Sequence, residues 1–456
     1  MRLVMMLTTI AATLAVSPTA SFSGAQDPSA APLIHVTWRT GLPPRVQVSL
    51  EHRYHLENLG PKESTTWVYT LRDTSTENIR ALIQSPDVRD THFLDRTRFT
   101  VSSDASPFVP PWVSLTTPAV GDLPPKEIPE IPEEYRETDA ETLITIRNAR
   151  DVSALRHRLV TFLWGPGGLP QTLPVAVFDG VEDRRFTDIL NLGRIDVLTI
   201  DMEFGLSTFV YHFVPKRANG EVILYHEGHG DDFSKSKVQI ARFIDSGFAV
   251  VAINMPIAGR SPHPVAQTPF GRIKLDTHDQ FKLLSPPSGH AIKYFVEPVV
   301  IALNYLERHY DLRRASMVGI SGGGWTTTIA AAVDVRIAKS FPVAGSYPLY
   351  LRSDSPRDWG DWEQTEPALY RVAGYLDLYV LGSSGEGREQ LQILNAYDPC
   401  CFAGKKWQTY RNAVHARVSM LSTGGAFDVW SDTTHYDHAI SSAGAQRILD
   451  ALGDER

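Results

Sequence analysis

Short apolar stretches alternate with amphipathic ones from about residue 195 to the end of the chain. Period-two alternation predicts strands, and apolar residues three and four positions apart predict helices. The predicted strands are IDVLTIDM, STFVYHFVP, GEVILYHEGH and GFAVVAINMP, and the predicted helices are SKVQIARFIDSG and VEPVVIALNYLERHYD. Strands that alternate with helices in this order predict a mostly parallel sheet covered by helices on both faces.

The pattern before residue 195 predicts a different organisation. Residues 33–104 predict a small mixed α/β unit, with helices over PPRVQVSLEHRYHL and STENIRALI and a strand over TTWVYTL. Residues 105–140 are rich in proline, which favours extended chain, so they predict a linker. Residues 141–194 then form a lead-in segment, in which LITIRNARDVSALRHRLVTFLWG predicts a strand followed by a helix. The last domain therefore spans residues 195–456.

Composition places the chain among soluble globular proteins. Of its 456 residues 43% are apolar and 21% are charged, with a formal net charge of −8. The sequence contains no tract of basic residues, so we expect no nucleic-acid partner.

The first 25 residues predict a cleaved signal peptide. Arg2 is followed by the apolar run LVMMLTTIAATLAV, which is shorter than the roughly 20 residues that a spanning helix needs. Small residues at Ser23-Gly24-Ala25 then resemble a signal-peptidase site. We therefore expect a secreted or periplasmic protein, without a stable membrane span.

A serine stands among glycines in the segment SMVGISGGGWTTTIAA. Gly319 to Gly323 fit G-x-S-x-G, a motif that forms a sharp turn from a strand into a helix with the serine at its apex. The flanking residues predict that strand and that helix. Ser321 would thus lie beyond the carboxyl end of a strand, where open α/β sheets bind their ligands.

The segment from residue 195 to 456, rather more than half of the chain, resembles an α/β-hydrolase domain. The resemblance rests on the G-x-S-x-G motif and on the strand and helix predicted on either side of it. The resemblance implies an α/β fold in which a serine, an acid and a histidine follow in that order. It further implies a serine hydrolase that cleaves a carboxylic ester, with a small-molecule or saccharide ester as its partner and with neither a cofactor nor a metal.

The resemblance implies that the acid follows a late strand of the sheet. KSFPVAG predicts the sixth strand, an insertion covers about residues 346–389, and QLQILNAYDPCCF predicts the seventh strand followed by Asp398. Asp398 is the preferred acid. Asp361 and Glu363, after the sixth strand, and Asp428, close to the histidine in sequence, are the alternatives.

The base is expected in the loop before the last helix. RVSMLSTGG predicts the eighth strand and SSAGAQRILDAL the helix, and the loop between them holds His435 and His438. His438 is preferred because it stands directly before the helix, the usual place in this fold. His435 is the alternative.

Two backbone amides are expected to bind the oxyanion. One belongs to Gly322, the residue after the nucleophile, and the other to the loop His226-Glu227-Gly228-His229-Gly230, with His229 and Gly230 as candidates.

The chain has two cysteines, Cys400 and Cys401, and they are adjacent. They would form a vicinal disulfide in an oxidising compartment or remain buried thiols in a reducing one. The pair stands directly after the proposed acid.

Two other classes of function compete with an esterase. A peptidase of the prolyl-oligopeptidase kind uses the same triad order, but it usually carries a propeller, and the sequence shows no blade repeat. A binding protein on a hydrolase fold would be expected to lack a member of the triad, whereas each member has a candidate here.

Overall fold

A computed structural model describes residues 127–453 apart from 230, 231, 311 and 313, together with parts of residues 33–93. The chain forms two compact units, residues 1–103 and 104–456. The predicted signal peptide and most of the predicted proline-rich linker lie outside the described residues. Export and the linker therefore stay predictions.

The first unit contains a four-stranded antiparallel sheet in the order β2-β3-β1-β4. Its strands are β1 (Leu33–Trp38), β2 (Leu56–Pro61), β3 (Thr66–Leu71) and β4 (Val88–Phe93). The predicted strand TTWVYTL is β3. In the helix predicted over residues 43–56, the described residues 47, 50, 51 and 53 are helical, and the last residue, Leu56, begins β2. The helix predicted over residues 75–83 falls almost wholly outside the described residues.

The second unit is built on a nine-stranded sheet in the order β15-β14-β13-β12-β8-β9-β7-β6-β5. Strands β8, β9 and β12 to β15 form a parallel set. Strands β5, β6 and β7 lie at one edge, and each pairs antiparallel with its neighbours. The strands of this sheet are β5 (Ala176–Phe178), β6 (Leu192–Asp201), β7 (Ser207–Pro215), β8 (Val222–His226), β9 (Ala249–Ile253), β12 (Ala315–Ile320), β13 (Ile337–Val343), β14 (Glu389–Asn395) and β15 (Ala426–Asp432); β10 (Val265–Thr268) and β11 (Gly271–Lys274) form a separate hairpin.

Ten α-helices lie in the described part of this unit. They are α1 (Glu133–Arg136), α2 (Ala149–Trp164), α3 (Lys237–Asp245), α4 (Lys293–Tyr310), α5 (Gly322–Val333), α6 (Trp362–Thr365), α7 (Pro367–Val372), α8 (Tyr375–Ser383), α9 (Arg411–Met420) and α10 (Ser442–Gly453). Short 3₁₀ helices, including His278–Leu283, occupy several loops. Helices α6, α7 and α8 fall in the predicted insertion between β13 and β14.

Local sequence signals explain where α2 begins and which face it buries. Asn148 caps the helix and forms a reciprocal capping box with Asp151, which satisfies N–H groups that the first turn leaves unpaired. Its buried residues recur at helical spacing and join the core that contains the strands of the sheet. The predicted lead-in segment therefore packs as part of this unit.

The central strands are buried on both faces. All five residues of β8 are buried, as are four of the five in β9, which is the pattern expected where helices cover a parallel sheet on both sides. Every residue of α5 is buried as well. The turn between β12 and α5 is thus held by the best-packed elements of the unit.

The strand predicted over Leu143 to Ile146 is wrong. This segment follows a turn and has no regular structure, and the N–H groups of Thr145 and Ile146 donate to the carboxylate of Asp377, at 2.8 and 3.2 Å, rather than to a neighbouring strand. A buried carboxylate on α8 therefore takes the hydrogen bonds that a sheet would have provided.

The eighth strand was also predicted in the wrong place. Residues 417–425 form the end of α9 and the turn after it, and the strand is β15, which begins at Ala426. Val414 and Val418, which lie four positions apart, are both buried. A helix places both side chains on the face that packs on the core, and this packing outweighs the β-propensity of the segment.

This strand order, with helices on both faces and the predicted turn after β12, is that of the α/β-hydrolase fold, and the predicted mostly parallel sheet covered by helices is confirmed for the second unit. Within the described part of the chain, we find no helix that is both long enough and apolar enough to cross a membrane.

Candidate active site

Ser321 occupies the sharp turn between β12 and α5. Its backbone has φ 58° and ψ −124°, a region that residues with a side chain rarely adopt. Hydrogen bonds on both sides hold it there, because its N–H donates to Val343 O at 2.9 Å and its carbonyl accepts from Trp325 N at 3.0 Å. The turn therefore has the strained geometry of a nucleophile elbow.

The loop after β8 packs directly against this turn, and two glycines permit the approach. A Cβ atom at Gly323 would lie 2.2 Å from the carbonyl oxygen of His226. A Cβ atom at Gly228 would lie 3.0 Å from Cβ of Ser321. Any larger residue at these positions would push the loop away from the serine.

His438 and Asp398 form a hydrogen-bonded pair at the carboxyl end of the sheet. Nδ1 of His438 lies 2.8 Å from Oδ2 and 3.0 Å from Oδ1 of Asp398, whose side chain is fully buried. Nε2 of His438 is buried and has no hydrogen-bond partner among the described residues. The histidine is thus anchored through Nδ1, and Nε2 makes no hydrogen bond to the described residues.

Asp398 is held by its own loop. Oδ1 accepts from the backbone N–H groups of Cys400 and Cys401, at 2.8 and 3.2 Å, and Oδ2 accepts from the side-chain amide of Asn395 at 3.1 Å. The two cysteines are joined by a disulfide, so the structure has the first of the two states that the sequence left open. The turn that aims the carboxylate at His438 is therefore closed covalently.

Two residues that the sequence left as alternative members of the triad contact other side chains. Asp428 lies within β15 and pairs with Arg411 at 2.5 Å. His435 is buried beside Asp432, with 3.4 Å between His435 Nε2 and Asp432 Oδ2.

Asp361 and Glu363, the other two alternatives, lie against His229. Nε2 of His229 is 2.8 Å from Asp361 Oδ2 and 3.3 Å from Glu363 Oε1. Burial acts to lower the pKa of His229, but the two carboxylates outweigh it and raise that pKa to about 10. Burial acts to raise the pKa of Glu363, but His229 and His278 outweigh it and lower that pKa to about 2.

Of the residues predicted to bind the oxyanion, Gly322 and His229 lie at the turn that holds Ser321. Gly322 begins α5, where the first N–H groups of a helix have no partner within it. The side chain of His229 packs on Gly322, since a Cβ atom there would lie 2.5 Å from His229 Cε1. Gly230 lies outside the described residues. In the same loop, burial lowers the pKa of His226 to about 4, so that imidazole is neutral at pH 7.

Three residues of this region were not singled out from the sequence. Gly228 lies beside Ser321, Asn395 holds Asp398, and His278 contacts His229 with 3.0 Å between Nε2 of His229 and Nδ1 of His278. Asn395 ends a predicted strand three positions before Asp398, which is a signal that the sequence offered. His278 lies in a 3₁₀ turn that no period in the sequence marks.

No protein-family model matches the chain, and no curated protein matches it. Among solved structures, acetyl xylan esterase 1 from Thermoanaerobacterium sp. JW/SL YS485 has 13% identity and a TM-score of 0.45, and the match covers 70% of this chain and 98% of that one. A glucuronoyl esterase from Solibacter usitatus has 12% identity and a TM-score of 0.46, covering 69% and 93%. A puromycin-hydrolysing peptidase from Mycobacterium tuberculosis has 16% identity and a TM-score of 0.42, covering 58% and 39%.

Proposed function

We propose that the protein is a serine hydrolase that cleaves carboxylic esters, with Ser321 as nucleophile, His438 as base and Asp398 as acid. The observation that carries the proposal is the pairing of His438 Nδ1 with the buried carboxylate of Asp398 while Nε2 is left without a partner. The strained turn at Ser321 supports it, because such a turn presents a serine hydroxyl to substrate.

The proposed reaction is acyl transfer to water. Oγ of Ser321 attacks the ester carbonyl carbon while Nε2 of His438 takes the hydroxyl proton, and Asp398 stabilises the imidazolium that forms. The Gly322 N–H, with an amide of the loop after β8, binds the oxyanion. The tetrahedral intermediate expels the alcohol, which receives the proton from His438. Water, deprotonated by His438, then attacks the acyl carbon; the bond to Ser321 Oγ breaks, the acid is released and His438 returns the proton to Oγ.

We extend the proposal to esters of small acids on saccharides. An exposed tryptophan could serve as a platform for a sugar ring: Trp325 and Trp362 are buried and Trp407 is half-buried, whereas Trp359 is 45% exposed. It precedes Asp361, whose carboxylate contacts the loop beside the elbow. An exposed indole so placed suits the apolar face of a sugar.

Labelling with a fluorophosphonate and a panel of esters test this function. We expect the wild type to be labelled on Ser321 and to hydrolyse acetyl esters of p-nitrophenol and of an acetylated xylooligosaccharide. Trp359→Ala should raise KM for the saccharide ester and leave that for p-nitrophenyl acetate unchanged.

Failure of the folded wild type to label would favour a non-catalytic binding protein and remove the proposal. Cleavage of proline-containing peptides with no ester turnover would favour a peptidase. Equal effects of Trp359→Ala on both esters would remove the saccharide platform and leave the esterase in place.

The acid is tested separately by Asp398→Asn. An amide retains the shape but presents the wrong hydrogen-bonding groups to Nδ1 of His438, which in a comparable triad lowers kcat by about 10⁴-fold. We expect a loss of about that size at unchanged far-ultraviolet circular dichroism. Asp428→Asn is the matched control, because Asp428 lies on β15 and pairs with Arg411 of α9, and it should keep kcat within about threefold. Equal losses in the two variants would contradict the assignment.

A further inference from the structure

We infer that His229, His278, Asp361 and Glu363 form a binding site for a divalent transition-metal cation, with Zn²⁺ as the best match. Each of the four residues offers one ligand atom, and these atoms all lie within 4.8 Å of one another. The site goes beyond the ester hydrolysis proposed above and is distinct from the pair of Asp398 and His438.

The spacing of the four ligand atoms suits a tetrahedral ion. Zinc is bound at about 2.0–2.2 Å by imidazole nitrogen and carboxylate oxygen, so the ligand atoms of a tetrahedral site lie about 3.3 Å apart. Nε2 of His229 lies 3.0 Å from Nδ1 of His278, 2.8 Å from Asp361 Oδ2 and 3.3 Å from Glu363 Oε1. Nδ1 of His278 lies 3.8 Å from Asp361 Oδ2 and 3.6 Å from Glu363 Oε2. These separations, from 2.8 to 3.8 Å, lie within about 0.5 Å of the distance between two ligands of a tetrahedral zinc ion.

His278 has the surroundings of a metal ligand. Its Nε2 lies 2.9 Å from the carbonyl oxygen of Pro256, which can only accept, so Nε2 carries a proton and donates it. In the neutral ring the lone pair is then on Nδ1, the nitrogen that faces the cluster. A backbone carbonyl that fixes the tautomer in this way is a common outer partner of a metal-bound histidine. The rings of Phe281 and Phe295 hold the imidazole in place.

Glu363 is a buried carboxylate that faces the centre of the cluster. Its side chain is fully buried, and among the described residues neither carboxylate oxygen makes a hydrogen bond of ordinary geometry; the nearest nitrogens are His229 Nε2, 3.3 Å from Oε1, and His278 Nδ1, 3.6 Å from Oε2. A buried carboxylate without hydrogen bonds is costly unless a cation compensates it. Both oxygens face the two histidine nitrogens, which places the needed charge in the middle of the cluster.

The charge of the four ligands suits a divalent ion. Two carboxylates and two neutral imidazoles carry a charge of −2, which a divalent cation cancels. Two nitrogen and two oxygen donors suit Zn²⁺ better than Ca²⁺ or Mg²⁺, which prefer oxygen alone. The side chains of His229 and Asp361 are 34% and 53% exposed, so an ion can enter from solvent.

Such an ion would join two segments that are distant in sequence. His229 belongs to the loop that packs against Ser321, and Asp361 and Glu363 belong to the insertion between β13 and β14. The cation would therefore tie the loop after β8 to the insertion.

The test is zinc binding to the full chain in a Ser321→Ala background, so that it does not depend on ester hydrolysis. After treatment with a chelator and removal of the chelator, calorimetry should show one Zn²⁺ bound per chain. Glu363→Gln and His278→Asn should each weaken binding at least about tenfold. Asp361→Asn, at a half-exposed position, serves as a further ligand variant should burial make the other two unfold.

Two matched variants check the location of the ion. His435→Asn removes a buried histidine that pairs with Asp432, and Asp398→Asn alters the only other cluster of metal-binding residues in the described part of the chain. Both should bind zinc as the parent does, and Co²⁺ should give the visible absorption of a tetrahedral site in all variants that retain the four ligands. A folded parent that binds no zinc, or zinc binding that survives Glu363→Gln and Asp361→Asn, would overturn the inference.

Discussion

Ser321→Ala is expected to lower kcat for a preferred ester by roughly four to six powers of ten, because members of a triad act as a unit. The side chain loses only its hydroxyl oxygen, and the Cβ atom that packs near Gly228 is kept. The hydrogen bonds that hold the turn belong to the backbone, so the strained geometry should survive the substitution. Initial rates across the ester panel, normalised to protein shown to be folded, measure the effect.

Fluorophosphonate labelling gives this experiment a second readout. The wild type should be labelled and Ser321→Ala should not, while the melting temperatures of the two proteins remain close. Ser316→Ala, a half-buried serine on β12 at the opposite end of the strand, is a control for the loss of a hydroxyl from this element. Retention of more than about a tenth of wild-type turnover in Ser321→Ala would remove the nucleophile assignment.

The sharp turn at Ser321 could be predicted from a short segment because its signals are local. The strand, the small residues of the turn and the following helix all lie within residues 315–333, so neighbouring residues determine the geometry at Ser321. Asp398 and His438 were harder to predict, since each depends on the correct placement of a long-range strand. Asp398 directly follows the correctly predicted β14. His438 was selected by its position before α10, although the strand preceding it was misplaced.

The cluster around His229 could not be predicted from the sequence. Its members come from three separate segments, the loop after β8, a 3₁₀ turn and the insertion before β14, and no spacing relates them. Asp361 and Glu363 were considered only as alternative acids, because an acidic residue after the sixth strand fits the resemblance. Their actual neighbour is decided by how the insertion folds over the loop after β8, which is tertiary packing that local patterns do not encode.

Substitutions of the two histidines in the loop before α10 are expected to differ in their effect on turnover. His438→Ala is expected to lower kcat by roughly four to six powers of ten, comparable to the loss in Ser321→Ala, since the serine hydroxyl then has no base. His435→Ala should retain a measurable share of wild-type kcat. Its imidazole faces Asp432, which Thr434 and Ser441 also contact, so its removal acts on the stability of the loop.

Initial rates and thermal unfolding of both variants distinguish these effects. We expect His435→Ala to lower the melting temperature and His438→Ala to leave it nearly unchanged, because the His438 side chain is 24% exposed and that of His435 is 3% exposed. His435→Gln should restore part of the lost stability, since an amide can still donate to Asp432. A loss of turnover confined to His435→Ala, with His438→Ala fully active, would transfer the base to His435. It would also remove Asp398 as its partner, because Asp398 contacts His438 and the carboxylate that faces His435 is Asp432.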